Sequence, residues 1–471
     1  MPSRYLRGER LFVAAKHGPM IDHPSRQAEI PSRQEEVGAD EPRGDAGAYW
    51  MLALLWLLYS LSFLDRYILG MLVEPIKAHL GISDFQISLI LGPAFAICYA
   101  VATLPAGWAA DRFQRRKVAY VGVTLWSIAS MSSGFANSFL ALFIARVCVG
   151  VGEAGLSPTA YAMIADRFPR HQLTTASAIF QTGIKAGSAA ALGIGGLLLT
   201  VAIGIGHIDI LSFRFEPWQM VMLWVGLPGL ILGPLLFLVS EPKRKTVKAA
   251  ADAPSLKPFL IAHRRLLIPV ILGFSLASIC SSATMAWVPT YISRAFGWSP
   301  LHYGAVLSGL SLLGALVLVL KSSIVDWLFA RGMRDAHVRF YCWVLAVSIP
   351  VSVYIFFVKD IYVFFGMLAF LQVAMISYSV YATASLSLIT PHELRGRVTA
   401  LFLLMVNLAG SGLGALVVGA LTDYVFRDQQ KLGMSLALTM GVCMPGALAA
   451  LWYSLAEWRK VIPAKAEEST G

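Results

Sequence analysis

Two charged residues lie next to each other inside a segment that otherwise has the composition of a membrane-spanning helix. The segment is YSLSFLDRYILGML, residues 59–72, and the charges are Asp65 and Arg66. A charged side chain at the centre of a bilayer costs at least about 3 kcal/mol on insertion scales. Because a carboxylate can take up a proton and a guanidinium can hold an anion, we predict that this pair has a functional role.

The segment ARVCVGVGEAGLSP, residues 145–158, carries a second pair of charges, Arg146 and Glu153. Their spacing of seven residues is nearly two helical turns, so both side chains lie on one face of a helix. Neither charge reaches water easily, and each therefore needs a partner. The same helix is thin and able to pack closely or bend, because it contains Gly150, Gly152 and Gly155.

The depths of these charges in the bilayer predict which residues pair. Asp65 and Arg146 each lie roughly eight residues from the outer ends of their spans, which is about 12 Å at about 1.5 Å per residue. Arg66 points about 100° away from Asp65 around the helix, so the two do not easily share one partner. Glu153 and Lys185, the latter in FQTGIKAGSAA, each lie about thirteen residues from the inner ends of their spans. We therefore predict an Asp65–Arg146 ion pair, and either a Glu153–Lys185 pair or a substrate site that these two residues share.

The buried charges support a hypothesis of proton coupling. Burial disfavours the charged form of a carboxylate, whereas a nearby cation favours it. If protonation of Asp65 or Glu153 releases Arg146 or Lys185, the freed cation changes its affinity for an anionic substrate as the protein changes conformation. Two alternatives stay open, namely a static network that fixes helix packing and a charged substrate site without proton movement.

The motif GWAADRFQRRK closes the second predicted span. Its glycine would let a neighbouring helix approach closely, and its aspartate at the membrane edge could hold the opposing half through helix N-termini or a basic partner. Breaking that contact would open an inner gate. The motif predicts a cytoplasmic gate, with a basic loop that only sets topology as the alternative; the gate residues are Gly107, Asp111, Arg112, Arg115 and Arg116.

The composition identifies the class of protein. Of the 471 residues, 57% are hydrophobic and 14% are charged, and the mean hydropathy is +0.66. Soluble domains contain about 25% charged residues, so we predict a polytopic integral membrane protein that contacts the lipid bilayer. The net charge of +11 does not indicate nucleic-acid binding, because the positive residues fall in short loops between apolar runs.

Cysteines and histidines give no indication of a metal site or a cofactor. The five cysteines lie in apolar segments without CxxC spacing, and the nine histidines are scattered. No nucleophile–base pair is visible, so we expect that the protein is not an enzyme. The hypothesis of proton coupling implies that a proton gradient, and no cofactor, is its driving force. A membrane receptor that does not transport is disfavoured, because no fused signalling domain appears.

A bilayer requires about 20 apolar residues per helix, and by this measure the chain contains about twelve spans. Short loops rich in Lys and Arg alternate with loops that are poor in them, which predicts that both termini are cytoplasmic and that the protein lies in the cell inner membrane. The predicted spans are 48–74, 86–111, 117–137, 139–165, 172–201, 218–240, 266–294, 301–328, 337–358, 361–389, 396–425 and 433–457.

The chain divides into two related halves in this prediction. GWAADRFQRRK closes the second span and SSIVDWLFARGMRDA closes the eighth, which is a weak internal repeat. Two related six-helix bundles that rock around a central site are typical of transporters. We predict a monomer with these parts: a disordered cytoplasmic arm (1–46), an N-terminal bundle (47–240), a cytoplasmic linker (241–265), a C-terminal bundle (266–458) and a cytoplasmic tail (459–471).

Aromatic residues in the seventh and tenth spans are candidates for lining a substrate cavity. The alternative is that they pack in the core or face lipid. These residues are Trp287, Tyr291, Tyr378 and Tyr381.

Several motifs together resemble the bacterial spinster-like branch of the major facilitator superfamily. They are FLDRYILGMLVEPIKAHLGIS, GWAADRFQRRK, RVCVGVGEAGLSPTAYAMIADRFP, WVGLPGLILGPLLFLVSEP and GALVVGALTDYVF. The resemblance implies a twelve-helix fold with alternating access. It also implies that Asp65, Arg66, Arg146 and Glu153 serve in proton coupling and substrate binding.

Two departures from the resembled pattern bear on the substrate. Lys185 adds a positive charge where an uncharged residue is expected, which favours an anionic or zwitterionic substrate. The fifth span, GIKAGSAAALGIGG, lacks the proline of a drug-antiporter motif. The sequence thus predicts an all-α membrane protein that transports an amphipathic or organic anion, for example a lysolipid, by proton-coupled alternating access. The alternatives are a symporter for small organic carboxylates and a drug/proton antiporter.

Overall fold

A computed structural model of the chain describes residues 46–210, 213–241, 255–333, 335–375 and 378–461. Most of the predicted N-terminal arm, most of the predicted linker and the tail beyond residue 461 lie outside these ranges. The side chain of Tyr378 also lies outside the described part.

Helices dominate the described chain. They are α1 Ala46–Ile68, α2 Val73–Leu80, α3 Asp84–Leu91, α4 Pro93–Arg112, α5 Arg115–Ser133, α6 Phe139–Glu153, α7 Leu156–Arg167, α8 Arg170–Ile205, α9 Pro217–Leu232, α10 Leu256–Ala262, α11 Arg264–Phe296, α12 Pro300–Ala330, α13 Ala336–Tyr354, α14 Ile361–Met375, α15 Tyr378–Ile389, α16 His392–Ala420 and α17 Leu432–Val461. Short 3-10 turns follow at Leu69–Met71, Gly233–Leu238, Ile355–Phe357 and Gln429–Lys431, and a π-helical segment occupies Leu421–Phe426.

Each of the twelve predicted spans falls on a helical stretch. Among the described residues, nine stretches are long and apolar enough to cross a membrane, and the other predicted spans coincide with α5, α12 and the pair α14–α15. Two spans that the sequence suggested as continuous are broken. Pro93 starts α4 directly after Gly92, and two residues separate Glu153, where α6 ends, from Leu156, where α7 begins. The second break places a candidate site residue at a helix end.

Two small elements were not predicted. The short helix α2 follows the 3-10 turn after α1, and an antiparallel hairpin of β1, Ile208–Ile210, and β2, Phe213–Phe215, joins α8 to α9. The hairpin packs its aromatic rings against Phe135, which follows α5.

We call helices α1–α9 the N-terminal half and helices α11–α17 the C-terminal half. Each half has a buried apolar interior, with Trp126 in the first and Phe274 in the second. One apolar cluster continues from one half into the other, joining Leu69 and Leu192 to Val288 and Leu307.

The two halves meet most closely at one end of the molecule. We call this the sealed end, and the opposite end, at the loop between α4 and α5, the basic end. A methyl group at Gly92 would lie 2.8 Å from the Ser411 carbonyl oxygen, and one at Gly70 would lie 3.1 Å from that of Ala286. Glycine at these positions allows the backbones of opposite halves to touch near the sealed end.

Candidate functional site

The first buried ion pair joins α1 to α6. Asp65 Oδ2 lies 2.9 Å from Arg146 Nη1, and both side chains are only 1% exposed. Ser130 of α5 donates a hydrogen bond to the other oxygen of Asp65. The predicted pair is therefore present, and three helices of the N-terminal half meet at it.

The second buried ion pair joins Arg66 to Glu153. Arg66 Nη2 lies 2.6 Å from Glu153 Oε2, and Ser62 donates to the same oxygen at 2.7 Å. The Glu153 side chain is 1% exposed and the Arg66 side chain 18%. Ser62 and Arg66 are four residues apart on α1 and thus share a face. The pair lies where α6 ends, so the break between α6 and α7 adjoins a buried charge.

Aromatic rings surround the guanidinium of Arg66. Its Cζ lies 4.5 Å from the ring centroid of Phe63, 4.2 Å from that of Phe95 and 5.3 Å from that of Tyr99. A cation over a ring face is attracted by the ring quadrupole, more strongly where water is excluded. These contacts stabilise Arg66 without neutralising it, and Tyr99 Oη also lies 3.4 Å from Ser157 Oγ of α7.

Three buried polar atoms in this charge cluster have no hydrogen-bond partner among the described residues. They are Glu153 Oε1, Arg66 Nε and Arg146 Nε. An unsatisfied buried atom of a charged group costs free energy. A free carboxylate oxygen in such a place is a ready acceptor for a proton or a water molecule.

Lys185 forms no ion pair with any described side chain, and the predicted Glu153–Lys185 pair is wrong for this structure because Glu153 binds Arg66 instead. Equal depth in a bilayer does not fix the direction in which a side chain points around its helix. Lys185 is half-buried and lies between two glycines of α8 that pack against α1 near Ser60. It is therefore a half-buried lysine that forms no ion pair with any of the described acids.

At the basic end, two of the predicted gate residues bind within the N-terminal half. Arg115 pairs with Asp166 of α7 and donates to the Ala162 carbonyl at 3.0 Å. The carboxylate of Glu241 accepts the backbone N–H groups of Arg115 and Arg116 at 2.7 and 3.3 Å. A carboxylate at the first turn of α5 stabilises that helix terminus.

The remaining gate residues are more open. A methyl group added at Gly107 would meet nothing within 4 Å, so the close helix approach predicted there is absent in this conformation. Arg112 lies over the ring of Trp108 at 5.5 Å, and Asp111 is exposed.

A second charge cluster lies at the sealed end and joins the two halves. Asp84, at the start of α3, is fully buried and binds Lys77 of α2. Arg294, in the last turn of α11, donates to both oxygens of Asp84 at 2.8 Å and to Glu74 at 2.8 Å. Asp423 of the C-terminal half accepts the Phe85 N–H at 2.6 Å.

Residues 55–415 match the Major Facilitator Superfamily. The chain belongs to the Major Facilitator Superfamily. It is 27% identical over 431 residues to an MFS-type efflux pump of Mycolicibacterium smegmatis, covering 89% of this chain and 95% of that protein. It is 26% identical over 317 residues to a D-galactonate transporter of Escherichia coli, covering 62% of this chain and 70% of that protein.

Spinster proteins are also among the similar proteins. Protein spinster homolog 1 of Bos taurus is 27% identical over 279 residues, which span 57% of this chain and half of that protein. A crystal structure of a bacterial homolog to the human lysosomal transporter Spinster, in an inward-facing and unoccupied conformation, superposes with a TM-score of 0.75 at 22% identity. The superposition covers 88% of this chain and 98% of that one. The superfamily and the fold identify the protein as a transporter with many membrane-spanning helices.

Three of the predicted C-terminal aromatic residues, Trp287, Tyr291 and Tyr381, are buried in this transporter. Trp287 is fully buried and donates to the Ala415 carbonyl at 3.0 Å. Tyr291 is 6% exposed and donates to the Phe356 carbonyl at 3.0 Å. Tyr381 is 1% exposed and packs beside Tyr341. In this conformation these three rings pack as in the alternative that the sequence left open, and a role of the aromatic residues in lining a cavity stays a prediction.

Sequence reasoning missed most neighbours of the charge cluster and all of the sealed-end cluster. Ser62 and Ser130 gave no signal, because serine is common in membrane helices. Only the spacing of Ser62 and Arg66, which are four residues apart on one helix, could have indicated that Ser62 lies beside the charges. Arg294 ends a span that contains no other charge after residue 265, and this position could have indicated a role for it.

Proposed function

We propose that this transporter moves an amphipathic organic anion by proton-coupled alternating access. The observation that carries the proposal is the buried Arg66–Glu153 pair, whose second carboxylate oxygen has no partner among the described residues. A pair that is partly unsatisfied can exchange its cation for a proton at lower cost than a fully bonded one.

Glu153 is the proposed proton site. When Arg66 moves away, the carboxylate loses its cation in an apolar setting, and such a carboxylate binds a proton more readily. Ser62 holds the carboxylate in place through this change. Both carboxylate oxygens of Asp65 are hydrogen-bonded, and its partner Arg146 is 1% exposed, so we assign this pair to positioning α1 against α6.

Arg66 and Lys185 are the proposed binding groups for the substrate anion. Lys185 has no acidic partner among the described side chains, and release from Glu153 would make Arg66 available as well. A guanidinium recognises carboxylate and phosphate through paired hydrogen bonds, and an ammonium acts as a point charge.

The distribution of charge favours a substrate with one polar and one apolar part. The N-terminal spans carry the buried charges Asp65, Arg66, Arg146, Glu153 and Lys185. In the C-terminal half, the eighth span carries Lys321 and Asp326 toward its end. The other spans include no Asp, Glu, Lys or Arg over residues 266–293, 340–358, 361–389, 398–422 and 432–456. An amphipathic anion such as a lysolipid would place its head group against the first half and its apolar chain against the second.

A symporter for small organic carboxylates is the second candidate. The observation in its favour is a group of hydroxyls near Arg66, formed by Tyr99 and Ser157. Such groups can bind the hydroxyls of a sugar acid, and similar proteins are named as galactonate transporters. A drug/proton antiporter has support only from the named efflux pump.

We further propose that both termini are cytoplasmic and that the protein works as a monomer in the cell inner membrane. The Lys and Arg distribution along the sequence supports a cytoplasmic location for the basic end. With that orientation the contacts at the sealed end correspond to an inward-open transporter.

The test is proton movement in proteoliposomes that contain a pH-sensitive dye. The protein is challenged with lysophosphatidylglycerol or with gluconate, as wild type and as Glu153→Gln. We expect proton movement with the lysolipid and its loss in Glu153→Gln, with Glu216→Gln, an acid in the loop before α9, as the matched control. Substrate movement without protons, or full coupling in Glu153→Gln, would contradict the coupling; a response to gluconate alone would favour the second candidate.

A further inference from the structure

The sealed-end cluster contains one carboxylate that two cations share. Asp84 Oδ1 accepts from Lys77 of its own half and from Arg294 Nη2 of the other half. The Asp84 side chain is fully buried, and the side chains of Lys77 and Arg294 are 6% and 7% exposed. Arg294 is the cation that crosses from one half to the other.

We propose that Arg294 is a latch that holds the sealed end closed, and that Lys77 sets its strength by competing for Asp84. The forked contact of a guanidinium with both carboxylate oxygens is among the strong charge-assisted hydrogen bonds. Separation of the halves would break it, together with the contact to Glu74.

Lys77 favours opening of the sealed end, whereas Arg294 holds it closed. It belongs to the same half as Asp84, so it stays beside the carboxylate when Arg294 leaves. The opened state therefore does not leave Asp84 without a cation, which would be costly in a buried position. In the closed state the two cations also repel each other, because they bind one carboxylate. Both effects lower the cost of opening.

A hydrogen bond between Asp423 and α3 also joins the two halves and supports the role of this end as a closed gate. Asp423 accepts the Phe85 N–H, so a carboxylate of one half caps the first turn of a helix in the other. Asp423 lies in the π-helical segment Leu421–Phe426, which Arg427 follows. The φ of Arg427, 53°, is the only positive value among the described residues other than glycine. A non-glycine residue in this region is strained, which is common in segments that change shape.

Hydrogen–deuterium exchange of the full-length protein in lipid nanodiscs tests the latch. In Arg294→Gln, we expect peptides of α2 and α3 to exchange about five-fold faster, within the usual range of coupling between two sites. Peptides from the end of α4, at the basic end, should exchange more slowly, because opening one end closes the other. In Lys77→Gln, peptides of α2 and α3 should exchange more slowly than in wild type, and peptides from the end of α4 should exchange faster.

The controls separate a latch from local loosening. Arg214→Gln removes an arginine of the hairpin that pairs only with Glu216 among the described acids, and it should leave both ends unchanged. Glu74→Gln, at a half-exposed position, should change exchange at both ends in the same sense as Arg294→Gln but by a smaller amount. It replaces Arg294→Gln in the test if that variant does not fold. The proposal is overturned if Arg294→Gln exchanges faster at α3 without exchanging more slowly at α4. It is also overturned if Lys77→Gln and Arg294→Gln change the exchange rates in the same direction. The measurement uses no substrate and no proton gradient. Its α4 readout rests on the proposed alternating access, but it does not depend on the proposed substrate or on proton coupling, so failure of either of those leaves it interpretable.

Discussion

Arg66 is joined to Glu153 at 2.6 Å, although its neighbour in sequence, Asp65, is joined to a residue two helical turns away from Glu153 on α6. Helical side chains tilt toward the N-terminus of their helix, so the long Arg66 side chain reaches back to the level of Ser62. Two adjacent residues of α1 thereby bind both charges of α6. The two pairs differ in burial and in bonding, which predicts different consequences when each is broken.

Asp65→Asn should destabilise the protein more than Glu153→Gln. Loss of Asp65 leaves Arg146 as an unpaired charge that is 1% exposed, and breaking a buried pair costs about 3 kcal/mol or more. Arg66, by contrast, keeps three aromatic rings and more contact with solvent after Glu153→Gln. Thermal unfolding in detergent should therefore show a larger drop in Tm for Asp65→Asn.

The double variant Asp65→Asn with Arg146→Gln provides the control. Its loss of stability should be smaller than the sum of the two single losses, because each single change leaves the other charge unpaired. Strictly additive losses would show that the pair contributes no coupling energy.

Lys185→Gln should weaken binding of an anionic substrate without affecting stability. No described side chain forms an ion pair with Lys185, so removal of its charge strands no acid. We expect KM for lysophosphatidylglycerol to rise about ten-fold, which corresponds to about 1.4 kcal/mol, with an unchanged Tm. Lys185→Arg should retain most of the affinity, and Lys359→Gln, at an exposed loop residue, should behave as wild type. A lower Tm with an unchanged KM would show that Lys185 serves packing instead.

The sequence was most informative about length, polarity and depth. Long apolar runs predicted all nine described stretches that are long and apolar enough to cross a membrane. Equal depth predicted the Asp65–Arg146 pair, because a bilayer restricts helices to nearly parallel packing. Depth did not predict the partner of Glu153. That choice depends on rotation about the helix axes and on the reach of the arginine, which no spacing within a single helix determines.

The aromatic residues and the sealed-end cluster show a second limit. Trp287 and Tyr291 lie in the core of their own half, and a span alone does not indicate which of its faces meets the other half. Asp84 and Arg294 are more than two hundred residues apart in the chain, so only the packed halves bring them together.

Gly152→Ala should destabilise the protein, whereas Gly107→Ala should not. A methyl group at position 152 would lie 2.5 Å from the Trp126 backbone nitrogen, which cannot move aside without shifting α5. Overpacking of this kind costs about 2 kcal/mol. A methyl group at position 107 would meet nothing within 4 Å, and alanine favours a helix over glycine. Melting curves should therefore show a lower Tm for Gly152→Ala only. If Gly107→Ala keeps its Tm but transports slowly, the close approach predicted at the basic end occurs in another conformation of the cycle; if it transports at the wild-type rate, Gly107 has no role as a gate.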